Sequence, residues 1–272
     1  MVAVNCLKRL TGAKAPGPII GPGKRVFAIG DIHGRRDLLD ALLERISLHI
    51  ETAPFADNIV VFLGDYIDRG PASRAVIERL CGLKQESDCQ TVFLRGNHDQ
   101  AVLDFLNNPS YYGAWRGYGA AETLLSYGVM PPRFENEVDF ARARDDFAHK
   151  LPQHHFEFLS CLKYFHVEDD YYFVHAGVRP GIALPDQLPQ DLMWIRESFL
   201  AHRGRFEKMI VHGHTPAPTP VTLANRICVD TGAHATGRLT ALVLEGESQS
   251  FLDVRNETIR REVIQGFQAV NS

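Results

Sequence analysis

Short runs of consecutive apolar residues recur along the chain, and each run ends in a cluster of polar residues. The runs lie at residues 26–29, 59–63, 91–94, 172–174 and 209–211. Apolar runs of this length are typical of strands that are buried on both faces of a helix-covered sheet. Between the first two runs, Leu38, Leu42 and Ile46 follow at four-residue steps, which predicts an amphipathic helix. The pattern therefore predicts a βαβ unit and an α/β fold.

Three other segments complete the predicted organisation. Residues 12–24 are rich in Pro and Gly, so we expect residues 1–24 to form a flexible N-terminal tail and residues 25–272 a single domain. Residues from about 100 to 161 have a mainly helical pattern and predict a helical insertion beside the sheet. The segments 226–230, 239–244 and 250–254 alternate like a β-meander, which predicts a second sheet packed on the first.

Composition and charge narrow the range of partners. The 272 residues are 45% hydrophobic and 23% charged, with a formal net charge of −4 and scattered basic pairs, so we expect no nucleic-acid partner. No apolar stretch is long enough to span a membrane, and the first 23 residues lack the apolar core of a signal peptide. The five cysteines form no CxxC pair, which is typical of a reducing compartment. We therefore expect a cytoplasmic protein without a membrane partner, and favour a monomer.

The polar clusters that follow the apolar runs carry the candidate chemistry. They read GDIHG at 30–34, GDYIDRG at 64–70, GNHD at 96–99, HAG at 175–177 and HGHTP at 212–216. In open α/β sheets, ligands bind beyond the carboxyl ends of the strands, where these clusters fall. The candidate metal ligands are Asp31, His33, Asp65, Asn97, His175 and His214. Oxygen and imidazole donors without a thiolate favour Mn²⁺, Fe or Zn²⁺, and two such ions are a common device for hydrolysing phosphate esters.

Each cluster taken singly is also typical of an ordinary turn or helix N-cap, and only their joint occurrence in this order indicates a site. Four histidines outside the ligand set are interpreted separately. His212 is expected to cap a strand end, and the adjacent His154 and His155 are expected to have no special role. For His234 two alternatives stay open, a contact with substrate and an ordinary loop position.

This ordered set of motifs resembles the phosphoprotein phosphatase branch of the calcineurin-like metallophosphoesterases, and bacterial and bacteriophage lambda-type serine/threonine phosphatases most of all. The similarity continues through WIRE at 194–197 and VDTGA at 229–233, and it covers about residues 25–245. The resemblance implies an α/β/β/α sandwich, in which two packed mixed β-sheets are flanked by helices, with a helical insertion. It also implies two divalent metal ions, most often Mn²⁺, and in-line attack by a hydroxide held between them.

The resemblance further implies a role for each matching residue. The first ion would be held by Asp31, His33 and Asp65. The second would be held by Asp65, Asn97, His175 and His214.

Beside the ions, the resemblance makes His98 the general acid, oriented by Asp68. Arg69 and Arg196 would bind the substrate phosphate together with Asn97. These roles agree with the chemistry of the side chains, because a nearby carboxylate favours a protonated imidazole and guanidinium groups bind phosphate oxygens bidentately.

Three positions bear on the substrate. Pro216 follows Gly-His-Thr, where many nucleases and cyclic phosphodiesterases of the superfamily have another metal-binding His. Asp68 is often absent from diadenosine tetraphosphate hydrolases, so its presence favours a phosphatase. Asp99 replaces the Glu that is usual in phosphoprotein phosphatases, and we expect this to tune activity only.

The preferred hypothesis is a serine/threonine or dual-specificity protein phosphatase that acts on phosphoproteins or small phosphoesters. The alternative is a diadenosine tetraphosphatase-like pyrophosphohydrolase, which would need a nucleobase site that the sequence does not reveal. A non-catalytic metal-binding module and a nucleic-acid phosphodiesterase are further alternatives.

Overall fold

The computed structural model describes residues 17–52, 57–86 and 89–256. Residues 1–16, and with them most of the predicted N-terminal tail, lie outside the described residues. The last part of that tail is packed on the domain: Ile20 is buried, and its backbone N–H donates to Gly246 O at 2.9 Å. Lys24 already belongs to the first strand, so the boundary predicted at residue 24 falls too late.

The strands are β1 Lys24–Ile29, β2 Asp57–Phe62, β3 Gln90–Phe93, β4 Phe165–Glu168, β5 Tyr171–Val174, β6 Met209–His212, β7 Val221–Thr222, β8 Arg226–Cys228, β9 Arg238–Glu245 and β10 Ser248–Arg255. The α-helices are α1 Arg36–Glu51, α2 Ser73–Glu86, α3 Asn97–Asn107, α4 Tyr112–Trp115, α5 Ala120–Ser126, α6 Glu137–Lys150, α7 Gln153–Ser160, α8 Pro189–Trp194, α9 Glu197–Leu200 and α10 Ala233–Thr236. Short 3₁₀ turns lie at Pro109–Tyr111, Arg116–Tyr118 and Leu184–Asp186. The strands predicted from the apolar runs and the helix after β1 are thus confirmed.

The strands form two mixed five-stranded sheets. The first has the order β10-β9-β1-β2-β3, in which β1, β2 and β3 are parallel and β9 and β10 run antiparallel beside β1. The second has the order β4-β5-β6-β8-β7, in which β5, β6 and β8 are parallel. The apolar runs therefore divide between two sheets.

The prediction that the last segments of the chain build the second sheet by themselves is wrong. Only β8 joins that sheet, whereas β9 and β10 return to the first sheet and pair with β1. The physical reason is burial: β9 is buried on consecutive residues, from Leu239 to Leu244, and its place beside β1 puts one face against the helices and the other against the second sheet. A local alternation pattern does not reveal this distant partner.

Three apolar layers hold the sandwich together. Between the sheets, Val26 and Val61 of the first sheet pack with Phe173 and Val211 of the second, all of them nearly inaccessible to solvent. The outer face of the first sheet packs against α1, α2 and the helices between β3 and β4, and the outer face of the second packs against α8 and α9. Each such fully buried side chain contributes about 1.5–3 kcal/mol. The arrangement is the predicted α/β/β/α sandwich.

The segment between β3 and β4 holds α3 to α7, which pack around Trp115, Phe105 and Phe147. Within the described residues, none of the helices has the length and apolar character that crossing a lipid bilayer requires.

Candidate metal centre

The loops that follow β1, β2 and β3 of the first sheet meet those that follow β5 and β6 of the second. All six predicted metal ligands lie at this junction, and each is at most 5% exposed: Asp31, His33, Asp65, Asn97, His175 and His214. Because the parallel strands of each sheet end at the same edge, residues far apart in sequence converge there.

Three of the predicted ligands surround the ring of the fourth, His175. Its Nε2 lies 3.4 Å from Asp65 Oδ2, 3.1 Å from Asn97 Oδ1 and 3.2 Å from His214 Nδ1. Its Nδ1 lies 2.9 Å from Leu63 O and must donate to it, because a carbonyl oxygen only accepts. In the neutral ring, Nε2 then carries a lone pair, which faces the acceptor oxygens of Asp65 and Asn97. A cation between these atoms removes the repulsion, so the residues fit a metal ion.

A second group of possible ligands includes His33 and again Asp65. His33 Nε2 lies 3.6 Å from Asp65 Oδ2, while His33 Nδ1 donates to Ile67 O at 2.8 Å. The carbonyl bond fixes the tautomer whose Nε2 is free to bind a metal ion. Asp31 joins the site from the end of β1 and accepts from the backbone N–H of His214 at 3.0 Å. Asp65 therefore stands between the two groups, as a shared ligand must.

Electrostatics at the site indicate the same need for cations. Burial lowers the pKa of His33 well below its usual value, and burial together with His175 lowers the pKa of His214 to about 2. Both rings are therefore neutral and able to coordinate. Burial and the neighbouring carboxylates of Asp230 and Asp65 raise the pKa of Asp31 well above its usual value. A bound cation would offset this repulsion.

The backbone at the site is held in an uncommon conformation. Five of the six non-glycine residues with positive φ in the described part of the chain are site residues, with φ between 46° and 69°: His33, Asp65, Asp68, Arg69 and His214. Such residues cost about 1–3 kcal/mol each and tend to cluster at functional sites. Two glycines allow the close approach of the ligands, since a Cβ at Gly96 or Gly213 would lie 2.0 or 2.1 Å from a carboxylate oxygen of Asp65 or Asp31.

His98, predicted as the general acid, lies in the first turn of α3 and is almost completely buried. Its Nδ1 lies 2.8 Å from Asp68 Oδ2, as the predicted pairing requires. Trp115 Nε1 donates to the same Asp68 oxygen at 2.7 Å, and Thr123 Oγ1 donates to Asp68 Oδ1 at 2.6 Å. The carboxylate that orients His98 is thus fixed by donors on both of its oxygens.

The charge state of His98 suits proton donation. Burial lowers its pKa, but the carboxylates of Asp65 and Asp68 outweigh this, and the net effect raises the pKa above its usual value. Its Nε2 lies 3.8 Å from Asp65 Oδ2 and 3.3 Å from Nη2 of Arg69. A protonated imidazole is therefore available beside the cation-binding residues.

The mouth of the site combines exposed arginines with partly buried aromatic rings. Arg69 and Arg196 are exposed, and Arg196 donates to Thr215 Oγ1 at 3.3 Å. Tyr118 contacts the ring of His98 with centroids 5.6 Å apart and the ring of Trp194 at 5.5 Å. Trp194 also lies 6.4 Å from the ring of His214.

Sequence reasoning missed several residues that support the site. Trp115 and Thr123 were part of the predicted helical insertion, and no local motif marks them as partners of Asp68. Asp99 accepts from the backbone N–H groups of Asp65, Tyr66 and Gly96, so it orders the loop that presents the shared ligand. These contacts explain why an acidic residue follows His98.

Asp230 was visible in the VDTGA motif, but its approach to Asp31 was not predicted. Among the histidines outside the ligand set, His212 lies at the end of β6, as expected, and packs edge-on against Phe199. His234 packs edge-on against His33 with ring centroids 5.1 Å apart, so it borders the site. His154 and His155 lie together with Glu78 at another place on the chain.

Comparison with known proteins agrees with this geometry. Residues 24–243 match the family model described as calcineurin-like phosphoesterase. The chain is 27% identical over 227 residues to the asymmetrical bis(5'-nucleosyl)-tetraphosphatase PrpE of Geobacillus thermodenitrificans, an alignment that covers 79% of this chain and 88% of that protein.

Two solved structures show the same fold. A protein described as a putative diadenosine tetraphosphatase has a TM-score of 0.56 and 20% identity, over 88% of this chain and 99% of its own. The cold-active protein-tyrosine phosphatase of a psychrophilic Shewanella species has a TM-score of 0.53 and 18% identity, over 87% of this chain and 79% of its own.

Proposed function

Because this chain belongs to the calcineurin-like phosphoesterase family, whose members use a pair of divalent metal ions, we propose that it is a hydrolase of dinucleoside tetraphosphates. The observation that carries this proposal is the aromatic pair Tyr118 and Trp194 at the mouth of the site. The nucleobase site that the alternative hypothesis needs has a candidate here. The names of the relatives support the same substrate class, in place of the phosphoprotein preferred from the sequence.

The ions would be held by the residues that the sequence identified. Asp31, His33 and Asp65 are proposed to bind one ion. Asp65, Asn97, His175 and His214 are proposed to bind the other, and Mn²⁺ is our proposal for both. When bound, such ions neutralise phosphate oxygens and lower the pKa of a water molecule between them.

The surrounding side chains would handle the substrate charge and one proton. Arg69 and Arg196 are exposed at the mouth and can bind phosphate oxygens bidentately. His98 would donate the proton on Nε2 to the leaving oxygen, while Asp68 holds Nδ1.

Tyr118 and Trp194 would give a nucleobase a stacking surface. Their rings lie 5.5 Å apart, and both are half-buried beside His98 and His214. Stacking of a base on an aromatic side chain contributes about 1–3 kcal/mol. A phosphopeptide or a simple phosphoester has no base to stack there, so this surface distinguishes the substrate classes.

A second candidate function is phosphomonoester hydrolysis, including that of phosphoproteins, and the His98–Asp68 pair favours it. An alkoxide leaving group needs a proton more than a nucleotide phosphate does, because the phosphate is the weaker base. His98 is buried and bonded to Asp68, whose carboxylate also accepts from Trp115 and Thr123. An acid oriented in this way is therefore more useful for an ester than for an anhydride.

The test compares turnover of diadenosine tetraphosphate, a phosphoserine/phosphothreonine peptide and p-nitrophenyl phosphate with Mn²⁺, each with an EDTA control. We expect EDTA-sensitive cleavage with the highest kcat/KM for the dinucleotide. A far higher kcat/KM for the peptide would overturn the proposal in favour of the second candidate.

The variant Trp194→Leu sharpens this comparison. Its KM for the dinucleotide should rise about 5- to 150-fold through the loss of stacking, with little change for the phosphoserine/phosphothreonine peptide, whose phosphorylated side chain has no ring to stack. A parallel loss on both substrates would mean that Trp194 supports His214 and contacts no base.

A further inference from the structure

Two histidines and a glutamate form a second group of metal-type side chains. It shares no residue with the candidate metal centre at the strand ends, which is called the strand-end site below. Glu78 lies on α2, and His154 and His155 lie in the first turn of α7. From the sequence alone, the two histidines were expected to have no special role. In the structure their ring centroids are 4.4 Å apart, and both rings turn toward the same carboxylate.

The donor atoms are spaced as a first coordination shell requires. His155 Nε2 lies 2.9 Å from Glu78 Oε2, and His154 Nε2 lies 3.3 Å from both carboxylate oxygens of Glu78. Tetrahedral coordination with bonds of about 2.0–2.1 Å places neighbouring donor atoms about 3.3–3.4 Å apart. The distances from Glu78 to the two histidines are close to this spacing, and all three donor atoms lie within 4.8 Å of one another.

His155 also has the outer partner that metal-binding histidines usually have. Its side chain is completely buried, and its Nδ1 lies 2.9 Å from the hydroxyl of Tyr127. When Nδ1–H donates to the tyrosine oxygen, the lone pair of Nε2 is directed toward Glu78. Such an outer hydrogen bond fixes the ring and its tautomer for coordination.

The surroundings of His155 favour its neutral imidazole. Burial lowers the pKa of His155, and the nearby His154 and Arg74 add to this, although Glu78 opposes it. Both histidines lie in the first turn of a helix, where a positive charge is unfavourable. Glu78 and His154 are 58% and 50% exposed, so an ion can reach the group, and water can complete its coordination.

We propose that Glu78, His154 and His155 bind a third divalent transition-metal ion, with Zn²⁺ the best match to two imidazoles and one carboxylate. The ion would join α2 to α7. Through the hydrogen bond between His155 and Tyr127 it would also stabilise the end of α5, the helix that contains Thr123. Its role would be structural, because none of the three ligands belongs to the strand-end site.

The test measures metal content at equilibrium. The chain is stripped with a chelator, dialysed against Zn²⁺ and analysed for zinc per chain. Wild type should hold one ion more than His154→Ala and one more than Glu78→Gln. His149→Ala removes an exposed histidine from the last turn of α6 and should match wild type. His154 is half exposed, so its removal leaves the core intact, which circular dichroism and p-nitrophenyl phosphate turnover would verify.

A second readout separates an ion from a simple hydrogen bond between Glu78 and His155. At a Zn²⁺ concentration about 100-fold above its dissociation constant, zinc should raise the melting temperature of wild type by about 5–10 °C more than that of His154→Ala. Equal zinc content and equal shifts in the two proteins would overturn the proposal. These readouts do not depend on the substrate, so they stand apart from the outcome for the proposed function.

Discussion

The site has two halves that solve the problem of buried charge in opposite ways. In the acid half, the carboxylate of Asp68 receives hydrogen bonds from His98, Trp115 and Thr123. In the ligand half, Asp31 lies against Asp65 and Asp230, and burial with these like charges raises its pKa. The first carboxylate is satisfied by the protein itself. The carboxylates of the ligand half need cations, so the fold completes only the acid half before any ion binds.

The substitution with the largest expected effect on turnover is Asp65→Asn in the ligand half. Asp65 stands in both groups of possible ligands, so losing its charge should separate the two ions and reduce turnover to background. Turnover with Mn²⁺ and metal content per chain test this. Full activity in Asp65→Asn would contradict a shared ligand, and Asp146→Asn, at an exposed position of α6, is a matched control.

Breaking the acid half should cost less and leave the ions in place. His98→Asn removes the proton donor, and turnover should fall by about 10²–10⁴-fold. Metal content should equal that of wild type, because the proposed ligand set omits His98. Loss of an ion in this variant would make His98 a ligand, which its position 3.8 Å from Asp65 permits.

The pH dependence of turnover tests the coupling within the acid half. Because the neighbouring carboxylates raise the pKa of His98, its protonated form persists to higher pH than that of an ordinary histidine, and turnover should fall as pH rises through that pKa. Ions bound at Asp65 would offset its influence and leave Asp68 as the main anion beside His98. Asp68→Asn should therefore move the basic limb to lower pH, and an unchanged limb would show that another group controls it.

The smallest expected effect concerns protons released on metal binding. Because the pKa of Asp31 is raised, the metal-free site holds a proton that a cation must displace, so metal affinity should rise with pH. Calorimetry in two buffers with different ionisation enthalpies measures this release. Asp230→Asn removes one repelling charge and should lower the number of protons released on metal binding by less than about one. An equal release would mean that Asp230 does not hold the pKa of Asp31 up.

The two halves also differ in how far the sequence predicted them. The ligand half consists of residues that directly follow strands, so the apolar runs and their polar ends located it. The acid half depends on Trp115 and Thr123, which lie 47 and 55 residues after Asp68 and reach it only through the packing of α4 and α5. No local pattern encodes such a contact.

The fold shows a similar limit. Strand positions followed from local apolar runs, whereas the assignment of β9 and β10 to the first sheet depends on which strand covers β9. The aromatic pair proposed to stack a nucleobase was missed for the same reason, since Tyr118 and Trp194 become neighbours only when the helices after β3 meet α8.

The return of the chain to its first sheet has a consequence for biosynthesis. Val26 of β1 pairs with Leu244 of β9, so the central strand of the first sheet lacks one neighbour until the chain has been synthesised through Leu244. Contacts between such distant residues form slowly, and an unpaired apolar strand exposes the nascent protein to aggregation. The nascent chain should therefore depend on chaperone protection until β9 has been translated, even though most of the site residues are synthesised long before.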